Sequence, residues 1–303
     1  MALRSLDNAL PTTPERPKKI AKIVGPMRTP PLDSGVNDEN SAPTAAIADP
    51  TPDYIASKDL NAFPDPEAIL KGLLEGLNSK DWMKVCEALN NTRRLALYHS
   101  SLLIPILDKV MLVMVKAMKN PRSALCKTSI MASADIFCAF GHLLLSLFSS
   151  EAFDQLLLQL LLKASQDKKF VCEEANRALQ AMTGSFPPLP LLCKLQSYVG
   201  HTNPKVRAKA AVSVSNCASK MAIDGMEEFG FVPLIRIAAD LLNDRLPEAR
   251  EAARSITNSV YKVFIGRDEQ KMMGLSPLES WQNLCSSGLP PISAQAMVKI
   301  VPQ

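Results

Sequence analysis

Residues 78–89 read Asn78-Ser79-Lys80-Asp81-Trp82-Met83-Lys84-Val85-Cys86-Glu87-Ala88-Leu89. The stretch is typical of the end of one helix, a short turn and the start of a second helix. Trp82 stands at the first position of the second helix, with Lys80 and Lys84 on either side. The stretch therefore predicts a helical hairpin whose bend carries a tryptophan and lysines.

Four further turns of similar basic character follow, and each opens a predicted helix. They are Asn120-Pro121-Arg122, Asp167-Lys168-Lys169-Phe170, Asn203-Pro204-Lys205-Val206-Arg207 and Asn243-Asp244-Arg245-Leu246-Pro247. The second helices of the hairpins start about 36 to 47 residues apart, which is the period of HEAT-type repeats. One hairpin cannot bury both faces alone, so neighbouring hairpins must stack. The sequence thus predicts an all-α solenoid of about six HEAT/ARM-like hairpins with its turns on one edge.

The composition agrees with helices rather than a sandwich or barrel. Of 303 residues, 47 % are apolar but only 5 % are aromatic, and no run alternates in the manner of a strand. Asp65-Pro66-Glu67 is a helix-start signal, and a long apolar helix is predicted from Ser100-Ser101 to about Lys119. The net charge of +4 is compatible with an acidic partner without requiring nucleic acid.

The seven cysteines are scattered and never form C-x-x-C, which favours a reduced, cytoplasmic protein with cysteines in its core. The N-terminus is polar and carries proline, unlike a secretory signal. The most apolar runs, 110–115 and 143–148, fall short of the ~20 residues that span a bilayer. We therefore expect no membrane partner.

Residues 1–58 differ from the rest because Pro, Ser, Thr, Asp and Asn dominate and no helical or strand period survives. Such a segment buries too little apolar surface to offset its ordering entropy, so we predict a disordered tail at 1–58 and a repeat domain at 59–300. Its first half is basic and 33–39 is acidic. Two interpretations stay open: a solvated tail, or a basic arm with salt-sensitive affinity for an acidic surface.

No catalytic constellation is evident in the sequence. His99, His142 and His201 lie far apart without a metal-binding spacing, and no G-x-S-x-G or G-x-G-x-x-G occurs. Gly225 and Gly230 have P-loop spacing, but Phe-Val replaces the required Lys-Ser/Thr. We predict no enzymatic activity, no cofactor and no bound metal.

The five turns, in this order, resemble those of TOG domains, the tubulin-binding HEAT arrays of the CLASP and crescerin families. Lys80-Asp81-Trp82-Met83-Lys84 resembles the first turn, and Asn203-Pro204-Lys205-Val206-Arg207 the fourth. The block 247–254, Pro-Glu-Ala-Arg-Glu-Ala-Ala-Arg, is most similar to the CLASP N-terminal type. The resemblance covers about residues 59–263. It implies a flat paddle whose turn edge grips tubulin, with the first-turn tryptophan on β-tubulin, and a microtubule location in the cytoplasmic cytoskeleton.

The resemblance also implies which side chains meet tubulin, a strongly acidic protein. Complementary charge speeds encounter and fixes register, and a tryptophan at a loop apex suits a hot spot. The predicted tubulin-binding residues are Trp82, Lys80, Lys84, Arg122, Lys127, Lys168, Lys169, Lys205, Arg207 and Arg245. Two alternatives remain for them: Trp82 tucked into the hairpin core, and the lysines as ordinary solvated helix starts.

A rival function places the working surface elsewhere. HEAT/ARM adaptor scaffolds bind peptide or protein partners through a concave helix face rather than through turns. RNA-reading helical arrays need nearly constant repeat lengths and a recurring base-reading triplet, which this sequence lacks, so nucleic acid is not an expected partner. The two hypotheses left are a tubulin-binding turn edge and a peptide-binding helix face, and other protein partners stay open.

Overall fold

The computed structural model describes residues 54–147, 150–268 and 276–302. All of the described residues belong to one compact unit, Pro50–Gln303. Most of the predicted tail, residues 1–53, lies outside the described residues.

The described residues form fourteen α-helices and no strand, which confirms the all-α prediction. In chain order they are α1 (Pro66–Leu77), α2 (Trp82–Tyr98), α3 (Ser100–Leu103), α4 (Leu107–Lys119), α5 (Ser123–Leu147), α6 (Ser150–Ala164), α7 (Lys169–Ser185), α8 (Pro188–Leu195), α9 (Pro204–Ala218), α10 (Ile223–Phe229), α11 (Phe231–Leu242), α12 (Pro247–Asp268), α13 (Pro277–Gly288) and α14 (Pro291–Val298).

The helices pack as six successive hairpins. The pairs are α1 with α2, α4 with α5, α6 with α7, α8 with α9, α11 with α12, and α13 with α14. Each second helix also packs on the next, α2 on α5, α5 on α7, α7 on α9 and α9 on α12. This is the stack that a repeat of hairpins requires, since one hairpin leaves a face uncovered.

Local capping chemistry explains why the helices start where they do. Asp65 accepts a hydrogen bond from the Ala68 amide (3.1 Å) with Pro66 at the first position, as predicted. Asp81 caps α2 through the Met83 amide (2.9 Å), and Asn203 caps α9 through the Lys205 amide (2.9 Å). The five predicted second-helix starts therefore agree with the structure to within one residue.

One predicted helix is broken. The run from Ser100 to Lys119 contains a short helix, a 3-10 turn at Ile104–Ile106 and then α4. Pro105 sits in that turn because proline lacks an amide proton and clashes with the preceding helical turn. The prediction of one continuous helix was wrong at this residue.

A single apolar core runs through the whole stack. Small residues line the second helices and let them approach closely. At Gly141 in α5, an added Cβ would lie 2.7 Å from both the Cβ and the carbonyl oxygen of Ser185 in α7. An aromatic cluster of Tyr261, Phe264 and Trp281 closes the last two hairpins.

Helix α5 is longer and more apolar than the runs singled out in the sequence. Residues Ser123–Ser146 are apolar and long enough to cross a bilayer, but 61 % of the most apolar window in that stretch is buried inside the stack. Burial against α2, α4 and α7 accounts for the apolar surface of this helix, as in a core helix of a solenoid.

A strap of ordered chain, consisting of residues 54–60, precedes α1 and lies on α2 and α5. Five of its residues, 54–58, fall in the stretch that the sequence assigns to the tail. They pack because the Ile55 carbonyl and the Ser57 hydroxyl satisfy the buried guanidinium of Arg93 (2.7 and 3.1 Å). The packed part of the chain thus starts at least five residues before the predicted boundary.

Candidate functional site

The five turns that open α2, α5, α7, α9 and α12 are called turns 1 to 5, and successive turns touch. The guanidinium of Arg122 in turn 2 lies 5.5 Å from the ring centre of Trp82 in turn 1. Lys168 Nζ in turn 3 donates to Ser123 Oγ beside turn 2 (2.7 Å). These contacts bring the first three turns side by side.

The contacts continue to the end of the series. Lys205 in turn 4 pairs with Asp167 in turn 3 (2.5 Å), and Arg207 pairs with Asp244 in turn 5 (2.5 Å). Lys209 reaches Glu248 of the following helix (2.7 Å). Since every turn contacts the next, the row formed by turns 1 to 5 is called the turn edge.

Trp82 is neither fully exposed nor deeply buried. Its ring is partly buried against the core and is covered on one side by Arg122. The arrangement is a cation–π pair at the entrance to the first hairpin, with part of the indole still open to solvent. A partner could therefore contact both side chains together.

Several predicted cations are exposed and make no ion pair within the described part of the chain. They are Lys80, Lys84, Arg122 and Arg245. Lys168 is exposed as well and bonds only to a hydroxyl. It stands at the N-cap of α7, where no side chain caps the helix and where a cation opposes the helix dipole. Helix stability therefore does not explain the lysine at this position.

The other predicted cations already have acidic partners. Lys205 and Arg207 bind Asp167 and Asp244 as described, and Lys169 lies 3.9 Å from Glu173 on its own helix. The Lys169 pair is exposed, so solvent weakens it and leaves this lysine available. The two cations of turn 4 are therefore paired, whereas Lys80, Lys84, Arg122 and Lys168 of turns 1 to 3, and Arg245 of turn 5, make no ion pair among the described residues.

Lys127 lies off the turn edge. Its Nζ is 4.5 Å from the ring centre of Tyr54 in the strap and 4.0 Å from Glu174 of α7. The residue is part-buried one turn inside α5. The spacing in sequence placed it in the second turn, but the helix carries its side chain toward the strap.

Two acids of the turn edge, Asp167 and Asp244, respond to their cations differently. Hydrogen bonding to Lys205, and then its charge, lowers the pKa of the exposed Asp167. For Asp244, burial acts to raise the pKa, but the Arg207 hydrogen bond, the Leu246 amide and the charges of Arg207 and Arg250 together bring it below its usual value. Both carboxylates are thus held ionised at neutral pH.

Phe170 is an exposed residue of the turn edge that the predicted set of binding residues did not include. It follows Lys168 and Lys169 in turn 3 and is 41 % exposed, which is unusual for a phenylalanine. The tripeptide Lys-Lys-Phe itself carried the signal, because Phe170 falls outside the apolar stripe of α7 that begins at Val171. Turn 3 therefore presents two cations and an aromatic ring to solvent.

Nothing in the described residues forms an evident catalytic or metal centre. No group of three or more His, Cys, Asp or Glu side chains is arranged to hold a metal ion there. A cavity of about 650 Å³ is a polar groove between α12 and Lys299-Ile300 and is lined by Glu251, Arg254, Asn258 and Lys262.

Comparison of the chain with proteins of known sequence finds related proteins, while no family model matches. The mouse TOG array regulator of axonemal microtubules protein 1 is 27 % identical over 210 residues, which cover 68 % of this chain and 12 % of that protein. The human protein of the same name is 29 % identical over 175 residues, 54 % of this chain and 10 % of that protein. The chain thus spans about a tenth of the length of these relatives.

Solved structures agree on the fold. A TOG domain of C. elegans Zyg9 superposes with a TM-score of 0.55 over 81 % of this chain and 88 % of that one, at 14 % identity. The MAST/Orbit N-terminal domain gives 0.50 over 76 % and 94 %, at 15 % identity. A chain from a study of microtubule plus-end tracking by XMAP215, CLIP-170 and EB1 gives 0.51 over 76 % and 88 %, at 17 % identity.

The chain has a TOG-type HEAT-repeat fold. The predicted resemblance to TOG domains is confirmed at the level of the fold. Within this TOG-type domain, the hairpin pairs and the order of the five turns follow the predicted sequence of repeats. The residues that contact a partner remain a prediction.

Proposed function

We propose that this TOG-type domain is a non-enzymatic tubulin- or microtubule-binding module that docks through turns 1 to 3. The mouse and human relatives are regulators of axonemal microtubules, which supports a cytoskeletal partner and a microtubule location. The observation that carries the proposal is the uneven pairing of cations along the turn edge. Unpaired cations and two solvent-accessible aromatic rings are concentrated in the first three turns.

The chemistry of turns 1 to 3 suits an acidic protein surface. Trp82 and Phe170 offer rigid apolar contact, and Arg122 and Lys168 offer charge beside them. Aromatic and arginine side chains dominate binding energy at protein interfaces. Cations already engaged with a carboxylate add less, because binding must first break or share that pair.

The proposal makes Trp82 and the lysines of turn 3 the main contributors to affinity. Trp82→Ala should weaken binding by about 2 kcal/mol, roughly 30-fold, because it removes the ring and the surface on which Arg122 rests. The double reversal Lys168→Glu/Lys169→Glu should weaken it at least about tenfold and flatten its dependence on salt. Binding is measured by co-sedimentation with microtubules and by gel filtration with free tubulin.

Two matched controls separate the turn edge from overall charge. Lys109→Glu/Lys116→Glu makes the same charge change at exposed positions of α4 outside the five turns and should change affinity less than about threefold. Lys205→Ala in turn 4 should also have a small effect, since Asp167 already holds this lysine. Absence of wild-type binding at low salt would reject the tubulin partner. Equal losses in the turn 3 and α4 variants would reject the edge.

A further inference from the structure

The face of α2 and α5 carries a preformed set of polar groups that the turn edge does not use. Arg93 in α2 is fully buried and its Nε pairs with Asp135 Oδ2 in α5 (2.6 Å). Its Nη1 also donates to Asn90 Oδ1 (3.1 Å). The packing of α2 on α5 brings these two side chains together, and the strap meets their remaining hydrogen-bonding groups.

The strap completes the polar set through backbone and hydroxyl groups. Arg93 Nη1 donates to the Ile55 carbonyl (2.7 Å), and Nη2 donates to Ser57 Oγ (3.1 Å). Ser57 in turn donates to Asp135 Oδ1 (2.6 Å). Farther along, the Tyr98 hydroxyl donates to the Leu60 carbonyl (2.6 Å). The two helices therefore bind three groups of the strap, which are the Ile55 carbonyl, the Ser57 hydroxyl and the Leu60 carbonyl.

The strap has the character of a bound ligand rather than of a repeat. Its backbone is extended on both sides of a single 3-10 turn, Ser57–Asp59, and it belongs to none of the helical hairpins. Most of its side chains are exposed, and Leu60, at 1 % exposure, is the one that inserts into the domain. Main-chain hydrogen bonds with one buried apolar anchor are the contacts by which protein surfaces bind extended peptides.

We propose that the α2–α5 face is a binding site for an extended peptide segment, and that residues 54–60 fill it in cis. A partner segment with a small hydroxyl residue and a leucine three positions later would make the same contacts. The site is separate from the turn edge and does not depend on tubulin binding.

Residues 54–60 are covalently joined to the domain, and this explains why they occupy the site in the free chain. A ligand joined by a short linker has an effective concentration in the millimolar range, which a free peptide must exceed. A change that weakens the strap without altering α2 or α5 should therefore open the site. Ser57→Glu does this, because it sets a carboxylate against Asp135 at an exposed position. Leu60→Asp is a second such variant, which removes the apolar anchor.

The test uses the full chain and a fluorescently labelled synthetic peptide with the sequence of residues 54–63. Wild type should bind it weakly, whereas Ser57→Glu and Leu60→Asp should bind it one to one, with an apparent affinity at least about tenfold higher. Adding Tyr98→Phe to the Ser57→Glu variant should reduce that affinity several-fold, because the donor to the Leu60 carbonyl is lost. A peptide with aspartate in place of its leucine should not bind.

The result that overturns the proposal is a folded variant that does not take up the peptide. If Ser57→Glu keeps the wild-type circular dichroism and shows no saturable binding, residues 54–60 are an integral part of the domain. Equal binding by wild type and variant would place the peptide elsewhere and would equally reject the α2–α5 site. Neither result affects the tubulin assay, which reports on the turn edge.

Discussion

At the scale of single residues, Arg93 and Asp135 form a buried ion pair with strict requirements for hydrogen bonding. A buried ion pair is stable only when its remaining donors and acceptors are met, and here Ile55, Ser57 and Asn90 meet them. The sequence could not reveal this pair, because its members lie 42 residues apart and the strap joins them from another 36 residues upstream. Only the packing of α2 on α5 brings the groups together.

Removing one member of this pair should therefore cost far more than removing both. Asp135→Ala leaves a buried guanidinium unpaired and should lower the free energy of unfolding by about 3–5 kcal/mol, measured by urea denaturation. The double change Arg93→Met/Asp135→Leu should recover a large part of that loss, since apolar residues of similar size replace the charges. As the control, Glu251→Ala removes the partner of Arg254 at an exposed site and should change stability by less than about 0.5 kcal/mol. A double variant as unstable as Asp135→Ala would show that the unpaired guanidinium is not the source of the loss.

At the scale of helices, the sequence predicted the helix starts, because local capping chemistry controls them. Caps and prolines place the starts of α1, α2 and α9, and those positions agree with the structure. Pro105 in the sequence also indicated a break, but the apolar run around it favoured the prediction of one continuous helix. The distance between packed helices was not predictable, because it depends on which small residue meets which neighbour.

Gly141 and Gly184 provide a matched test of that packing. Gly141→Ala places a methyl 2.7 Å from Ser185 and should cost about 1–3 kcal/mol of stability, because α5 and α7 must move apart. Gly184→Ala meets no atom within 4 Å and should be neutral or stabilising by up to about 1 kcal/mol through helix propensity. Thermal unfolding of the two variants and of wild type measures these changes in stability. Equal changes in the two variants would contradict the close approach of α5 and α7.

The contact between turns 4 and 5 predicts a pH dependence. The pKa of Asp244 is lower in the folded chain than in the unfolded chain, so its contribution is complete above the unfolded pKa of about 3.9. That contribution is lost as the pH falls through the lower, folded value. Asp244→Asn should therefore be less stable than wild type by about 1.5–3 kcal/mol near pH 7. The difference should hold down to about pH 5 and close below about pH 4.

Asp167→Asn is the control for this experiment. Its carboxylate also has a lowered pKa and a lysine partner, but its side chain is 93 % exposed, so its loss should change stability much less. Urea denaturation at a series of pH values compares the two variants. A stability difference for Asp244→Asn that widens on acidification would be incompatible with a lowered pKa of Asp244 in the folded chain.

At the scale of the whole molecule, the order of the turns was predictable but their pairing was not. Each turn is a short local motif, so five such turns at similar spacing predicted that the turns lie in a row. Whether a lysine in that row is free depends on the acid of the neighbouring repeat, as Lys205 and Arg207 show. Most of the unpaired cations of the predicted basic edge therefore lie in turns 1 to 3.

The seven cysteine thiols also differ in how deeply they are buried, and thiol titration can measure this difference. Cys138 and Cys193 are exposed, Cys172 is half-buried, and Cys86, Cys126, Cys217 and Cys285 are buried. Burial raises the pKa of Cys217 and of Cys285 to about 12, so almost no reactive thiolate forms at about pH 8. Ellman's reagent should thus titrate two thiols quickly in the native chain, and all seven in concentrated guanidinium. Rapid reaction of more than about three native thiols would contradict the burial of the other cysteines.

The missing methyl at Gly141 has a consequence beyond stability. It fixes how closely α5 and α7 approach at the end opposite the turns, since Gly141 lies about 27 Å along α5 from Ser123, and Ser185 is the last residue of α7. A larger residue at position 141 should splay the two helices at that end. We therefore expect it to change the curvature of the stack while leaving the side chains of turns 2 and 3 in place.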